Sequence, residues 1–371
     1  MVDVFEVAES LMNHIKSRWS NDVAIAAYYG SYAQGTATKR SDLDFFFIPA
    51  TPEGFKVSIQ FIVDDISFDF WPISWERAER MARLEDSQTT IIADCKLLYV
   101  RSEEDLERFM RLRETVAAVL ASGNDRRLVE VAESRLRDAH IHLHKMTCDP
   151  ESQLTGLRTE AQGVLTNVLE CLALLNGTYF TRGFGKNKEQ ILQLPLCPSG
   201  LETLMNTIMR SNSRMDVLRA CETMAYDTVK LVLDKRKCYS NGPSYRDRMK
   251  GFYEEEKGIL DKIRTACETK DYDTVFFFAI QAQQEIAHFL HFAEYGQWPS
   301  QLMSSWNTQG IYRQLTLPDL VGLLDPNDFG PLLAAIEQLS TRLESHLIEQ
   351  GVEINRFGTI EEFEKFLGAR P

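Results

Sequence analysis

Apolar residues in the first hundred positions follow two different periods. Phe5, Leu11, Met12, Ile15 and Trp19 recur at helical spacing and predict an amphipathic helix over 5–19. Residues 23–29, 43–48 and 66–71 are short runs of aliphatic and aromatic side chains, which predict strands. Helical character returns over 76–85, and 96–100 reads as a last short strand. That order predicts an α+β or α/β domain built on a small sheet. After Arg101 the strand signals nearly vanish. Helices are predicted over 103–121, 126–146 and 154–175, the last carrying Leu157, Ala161, Val164, Val168, Leu172 and Leu175 on one side before an Asn176-Gly177 stop. The third of these follows an acidic connection, Asp149-Pro150-Glu151. Cys197-Pro198-Ser199-Gly200 reads as a turn, and helix resumes over 201–209 and 215–234. The charged stretch 234–241 with Gly242-Pro243 is the predicted linker, after which further helices are expected at 245–269, 272–294 and 331–350. The chain is accordingly divided into a mixed domain over 1–101, a helical bundle over 102–238 and an additional helical domain over 239–371.

Composition narrows the classes without naming a chemistry. The 371 residues carry 41 Lys+Arg and 54 Asp+Glu, a formal net charge of −13. That balance argues against a broad nucleic-acid surface, which needs clustered cations, and leaves room for a cationic substrate or for carboxylates gathered on metal ions. The longest apolar stretches fall far short of a bilayer span. The first residues show no basic segment ahead of an apolar run, so no signal peptide is predicted. Seven scattered cysteines without a CxxC pair predict neither a zinc knuckle nor a disulfide framework. A reduced, cytoplasmic protein without membrane association is expected.

One stretch carries chemistry. Tyr29-Gly30-Ser31-Tyr32-Ala33-Gln34-Gly35 closes a predicted strand and opens a short helical turn, and Thr38-Lys39-Arg40-Ser41-Asp42-Leu43-Asp44 opens the next strand. Glycine lets a phosphate approach the backbone, and the turn's free N–H groups and the Ser31 hydroxyl can donate to it. Asp42 and Asp44 alternate with Leu43, so both project to one side of the strand. Two such carboxylates beside a phosphate cradle suit magnesium bridging a nucleoside triphosphate. In Ile66-Ser67-Phe68-Asp69-Phe70-Trp71, Asp69 stands alone in an apolar strand and is the candidate third ligand. Each piece is commonplace alone, whereas the ordered combination is specific.

This combination resembles the signature of the DNA polymerase β-type nucleotidyltransferase superfamily, and within it the kanamycin-type antibiotic nucleotidyltransferases, in which a helix-rich domain follows the catalytic one. Residues 66–87 are similar to that family's third-carboxylate strand and following helix, and Cys197-Pro198-Ser199-Gly200 falls where the family has a turn after paired helices. Gln34 departs from the pattern, since many relatives carry a basic residue there. The resemblance implies an α+β catalytic domain followed by an all-α bundle. It also implies transfer of a nucleoside monophosphate, usually AMP from ATP, to a hydroxyl of a small aminoglycoside-like molecule, with release of pyrophosphate. Asp42 and Asp44 would hold two magnesium ions with the triphosphate, and Asp69 would hold the ion that activates the acceptor. Gly30 and Ser31 would grip the outer phosphates, and Ser41 would orient the loop. A glutamate on the first long helix of the second domain would act as general base. Glu130, Glu133 and Asp138 are the candidates on 126–146, and Glu133, at the border of the apolar face, is favoured. The family pattern also implies an acceptor pocket shared within a homodimer.

Other residues have plainer readings. His140 and His144 share a helix face and could bind a transition metal, but partly exposed helical histidines are the simpler interpretation. Arg182, Lys186 and Lys188 form the one compact basic patch, able to meet a phosphate or to stand as a solvated loop. Two alternative functions use the same motif: nucleotidylation of a protein or RNA of the toxin–antitoxin kind, and a non-catalytic nucleotide-binding oligomer. The paucity of basic clusters weighs against RNA, and the complete set Asp42, Asp44 and Asp69 weighs against a silent site.

Overall fold

The apolar runs of the first hundred residues become five strands: β1 (Val23–Tyr29), β2 (Asp44–Pro49), β3 (Ile59–Val63), β4 (Ile66–Pro72) and β5 (Lys96–Val100). The computed structural model describes residues 3–39, 41–122, 126–148, 154–239 and 242–369. Arg40 of the motif, Asp149, Pro150 and Glu151 of the acidic connection, and Asn241 of the expected linker lie outside them. The sheet order is β3-β4-β2-β1-β5, with β2 and β4 parallel and the other neighbours antiparallel. Both faces of the central strands are covered, which is why β2 reads Phe45-Phe46-Phe47-Ile48 without alternation. Each of these fully buried phenylalanines contributes about 1.5–3 kcal/mol relative to an exposed one.

Helices are divided between the two faces. α1 (Val4–Arg18) packs Val7, Met12 and Ile15 against Phe45, Phe47, Phe68 and Phe70. α2 (Gly30–Ala33) is a single turn at the end of β1. α3 (Trp75–Ala82), α4 (Thr89–Asp94) and α5 (Glu103–Ser122) cover the opposite face, with Ala78, Met81, Ile91, Phe109 and Leu112 on Phe46, Ile48 and Ala27. The domain is α+β, as the resemblance implied.

The chain forms two compact units, Met1–Lys235 and Arg236–Pro371. In the first, α6 (Arg126–Cys148) and α7 (Leu154–Leu175) bury Leu128, Ala132, Leu136 and Ala139 together with Ala161, Val164, Val168 and Leu172. The helices approach closely at Gly163, where an added Cβ would lie 2.5 Å from the His142 ring. α8 (Lys188–Leu192), α9 (Leu201–Arg210) and α10 (Arg214–Lys237) follow. The second unit contains α11 (Tyr245–Arg248), α12 (Phe252–Glu268), α13 (Tyr272–Tyr295), α14 (Ser305–Thr308), α15 (Gly310–Gln314), α16 (Gly330–Glu349) and α17 (Ile360–Gly368). Its core is built mainly from α12, α13 and α16, including Leu260, Ile263, Ile286, Leu290, Leu339 and Leu343. Among the described residues no helix is long and apolar enough to cross a membrane.

The structure differs from the sequence expectations in several places. β3 was not anticipated, because it is an edge strand whose Ile59 and Ile62 are 47% and 71% exposed, so its apolar residues do not alternate with burial. The helix expected over 76–85 ends at Ala82, with Leu84 in the left-handed region at φ 59°, and α4 follows as a separate element. The helix expected over 245–269 breaks before Phe252, where Gly251 takes φ 81°. The expected linker begins inside α10, which continues to Lys237.

Candidate active site

The site starts from a backbone requirement at Gly30. Its φ of 73° lies where side chains are strained, and a Cβ there would stand 2.1 Å from Asp44 Oδ2. Glycine is therefore needed twice, for the turn out of β1 and for the carboxylate that rests against it. Antiparallel pairing sets Tyr29 opposite Asp44, which brings the Gly-Ser turn to the first residue of β2. The turn is closed by Gln34 N–H donating to the Gly30 carbonyl (3.1 Å) and Thr36 N–H to the Ser31 carbonyl (2.8 Å). Farther along, Ser41 fastens the loop ahead of Asp42. Its Oγ accepts from Thr38 N–H at 2.9 Å, and its own N–H donates to the Thr38 carbonyl at 2.9 Å.

The three aspartates share one electrostatic field. Parallel pairing of Phe45 with Phe70 places Asp44 and Asp69 at corresponding positions of neighbouring strands, on the face of Phe46 and Trp71. Asp44 is pushed up to about 6, first by burial and then by the charges of Asp42 and Asp69. On the same face, Trp71 Nε1 donates to the Tyr29 hydroxyl at 3.2 Å, and burial pushes that phenol up to about 12 despite the bond. Asp69 is exposed and accepts from Gln60 Nε2 at 2.8 Å. The burial cost that singled it out in the sequence is therefore not paid; its place in the register, beside Asp44, is what marks it. Among the described residues no three His, Cys, Asp or Glu side chains converge into a ready metal shell. Magnesium usually takes one or two carboxylates and completes its shell with phosphate and water, and hard carboxylate oxygens crowded by like charge are donors of that kind.

Gly30 and Ser31 form one wall of a cleft of about 450 Å³, and α4 and α7 with the segment after α7 form the rest. Gln34, Thr36, Gln88 and Thr90 supply neutral polar groups, and Phe180 and Ile91 apolar ones. Arg182 and Lys186 line it as exposed cations without a carboxylate partner among the described residues. Lys188, the third member of the basic patch, is turned to Glu202 at 2.6 Å.

Among the described residues the carboxylate that lines the cleft is Glu170 on α7; Asp42, Asp44 and Asp69 lie outside its lining, with Asp44 against the far side of Gly30. Glu170 pairs with Arg135 at 3.2 Å, yet burial outweighs that cation and raises its pKa. Glu133 lies elsewhere on the bundle, buried on α6 at 8% exposure with its charge felt by Cys171, and is not among the cleft residues. Glu130 is paired with Arg126 at 3.0 Å. Glu170 was missed in the sequence, although a lone acid inside Val168-Leu169-Glu170-Cys171-Leu172 is the same signal that singled out Asp69. The histidines of α6 do not act together: His142 Nδ1 meets Glu160 at 2.7 Å, His140 Nδ1 meets the Leu136 carbonyl, and His144 meets Cys148.

This arrangement agrees with what the sequence shares with known proteins. Residues 9–116 match the nucleotidyltransferase domain model, so the chain carries a nucleotidyltransferase domain. Residues 106–237 match the KNTase C-terminal domain, which makes its bundle that of the kanamycin nucleotidyltransferase type. The two models meet on α5, and neither extends past Lys237. No curated protein matches significantly. Among solved structures, a nucleotidyltransferase-like protein from Exiguobacterium sibiricum 255-15 is 10% identical over 62% of this chain and 76% of its own, with a TM-score of 0.37.

Proposed function

We propose that the enzyme transfers a nucleoside monophosphate, AMP from ATP, to a hydroxyl of a small aminoglycoside-like acceptor. The observation that carries this reading is the seating of Asp44 against Gly30, within the field of Asp42 and Asp69 and beside the cleft wall formed by Gly30 and Ser31. Asp42 and Asp44 would hold magnesium with the triphosphate, and Asp69 would hold the ion nearer the acceptor. Bound there, magnesium would neutralise the polyphosphate and lower the pKa of the acceptor hydroxyl.

The chain's own groups do the rest. Ser31 and the backbone at Gly30 orient the outer phosphates, and Ser41 keeps the loop before Asp42 in place. Arg182 and Lys186 supply fixed positive charge from the opposite wall, where charge builds on the leaving group. The acceptor oxygen forms a bond to the α-phosphorus, the bond from that phosphorus to the β-phosphate bridging oxygen breaks, and pyrophosphate leaves with its electrons. The acceptor proton passes to a carboxylate. Glu133 is the family-pattern candidate for this role, and Glu170 competes with it because it lines the cleft.

The test is to incubate the protein with magnesium, labelled ATP and a panel of aminoglycosides. Acceptor-dependent pyrophosphate release is expected. Silence with every acceptor, together with no magnesium-dependent ATP binding by calorimetry, would overturn the reading. Glu133→Gln and Glu170→Gln separate the two bases: the true one loses roughly 10²–10⁴ in kcat, and the other keeps its rate.

A further inference from the structure

The segment that brings Arg182 and Lys186 to the cleft is clasped upon itself. Asn187, 2% exposed, holds Arg182 from both sides: the Arg182 N–H donates to Asn187 Oδ1 at 3.2 Å, and Asn187 Nδ2 donates back to the Arg182 carbonyl. Gln190 repeats the device one turn on, accepting from the Thr181 N–H at 3.4 Å and donating to the Tyr179 carbonyl at 2.7 Å. Residues 179–190 therefore hold their shape as a strap, and where it sits depends on what ties it to the catalytic domain.

Tyr179 and Thr181 both carry such ties. The Tyr179 hydroxyl donates to Asp94 Oδ1 at 3.3 Å, and the Thr181 carbonyl accepts from Gln34 Nε2. Thr90 Oγ1 also lies 3.3 Å from that carbonyl, but a hydroxyl has one proton and Asp94 Oδ2 takes it at 2.8 Å. Gln34 is thus the donor that fastens Thr181. Its own backbone N–H is bonded to the Gly30 carbonyl, so its side chain is anchored to the phosphate-side turn.

We infer that Gln34 is a positioning residue. By holding the Thr181 carbonyl it fixes the spacing between the Gly30–Ser31 turn and the Arg182–Lys186 wall, and so presents those two cations to the polyphosphate of the nucleotide. The inference rests on the nucleotidyl-transfer reading for its kinetic consequence and on geometry alone for its structural one. An amide suits the task because it donates to a carbonyl without adding a third positive charge to the cleft.

Gln34→Met keeps the length of the side chain and removes the donor. The expected result is a KM for magnesium–ATP raised roughly 3–10-fold with a smaller change in kcat, and amide exchange over 179–187 faster by a similar factor while the melting temperature stays put. In an Arg182→Ala/Lys186→Ala background the same change should cost little more, because both cations being positioned are gone. Unaltered exchange over 179–187, or an equal KM penalty with and without the two cations, would overturn the inference. Failure of the broader reading looks different: Asp44→Asn would keep full activity or wild type would bind no nucleotide, and exchange would still decide whether Gln34 holds the strap.

Discussion

Carboxylates crowd one another in both units of this protein, and the two cases are built differently. In the first unit Asp44 is half-buried, its pKa raised to about 6 by burial and by Asp42 and Asp69, and it rests on a glycine at the edge of a polar cleft. In the second unit Glu256 is 2% exposed on α12, pushed up to about 8 by burial and then by Glu285 and Glu255, with Oε2 buried and unbonded among the described residues. Glu256 has the larger perturbation, yet among the described residues no glycine is seated against it as Gly30 is against Asp44. Perturbed ionisation marks a candidate, whereas access and a shaped neighbour give it something to act on. The acid at the cleft edge is arranged to meet a cation; the one inside the helices is arranged to keep its proton.

That contrast can be broken experimentally. Asp44→Asn should lower turnover by about 10³-fold or more, measured as pyrophosphate release, with the circular dichroism spectrum unchanged. A near-normal rate would put the two acids in one class. Gly30→Ala should cost about 10²-fold in kcat by displacing the Asp44 carboxylate, and should lower stability by ~1–3 kcal/mol through the left-handed backbone. If only stability moves, the glycine serves the turn and not the site.

Glu256 gives the smaller effect, visible in pH dependence. Its folded pKa lies above the unfolded value, so folding is fully supported below about pH 4.5 and the support is lost as pH rises towards about 8. Over that window its share of the stability should fall by about 1.4 kcal/mol per pH unit, read from urea unfolding of the full chain. Glu256→Gln should remove this component and leave turnover untouched; a matching loss of activity would mean that the internal acid serves catalysis after all.

How much of this was legible depends on distance along the chain. Gly30, Ser31, Asp42 and Asp44 fall within fifteen residues and are joined by one strand–turn–strand passage, so the rules of local structure bring them together. Asp69 was found by its oddity in an apolar run, although the structure places it in solvent and its position comes from strand register. The opposite wall was far less accessible. Arg182 and Lys186 stood out only as a basic patch, and nothing near Thr181 announces that its carbonyl is held by Gln34, 147 positions earlier. Glu170 belongs to a helix whose apolar residues dominate its pattern, and only packing shows which side of that helix opens on the cleft. The edge strand β3 escaped for the opposite reason, because its apolar residues are exposed.

β3 and β4 are joined by Asp64 and Asp65, both in the left-handed region at φ 49° and 60°, with Val63 paired to Ile66. That is the two-residue turn whose twist matches a hairpin, and it leaves no slack in the count between the strands. The hairpin therefore works as a ruler: it sets Gln60 against Asp69, while the neighbouring β2 sets Phe45 against Phe70. A slip of one residue along that ruler would send Asp69 to the α1 side and turn Phe68 and Phe70 to the opposite face, removing Asp69 from Asp44 without changing a single side chain.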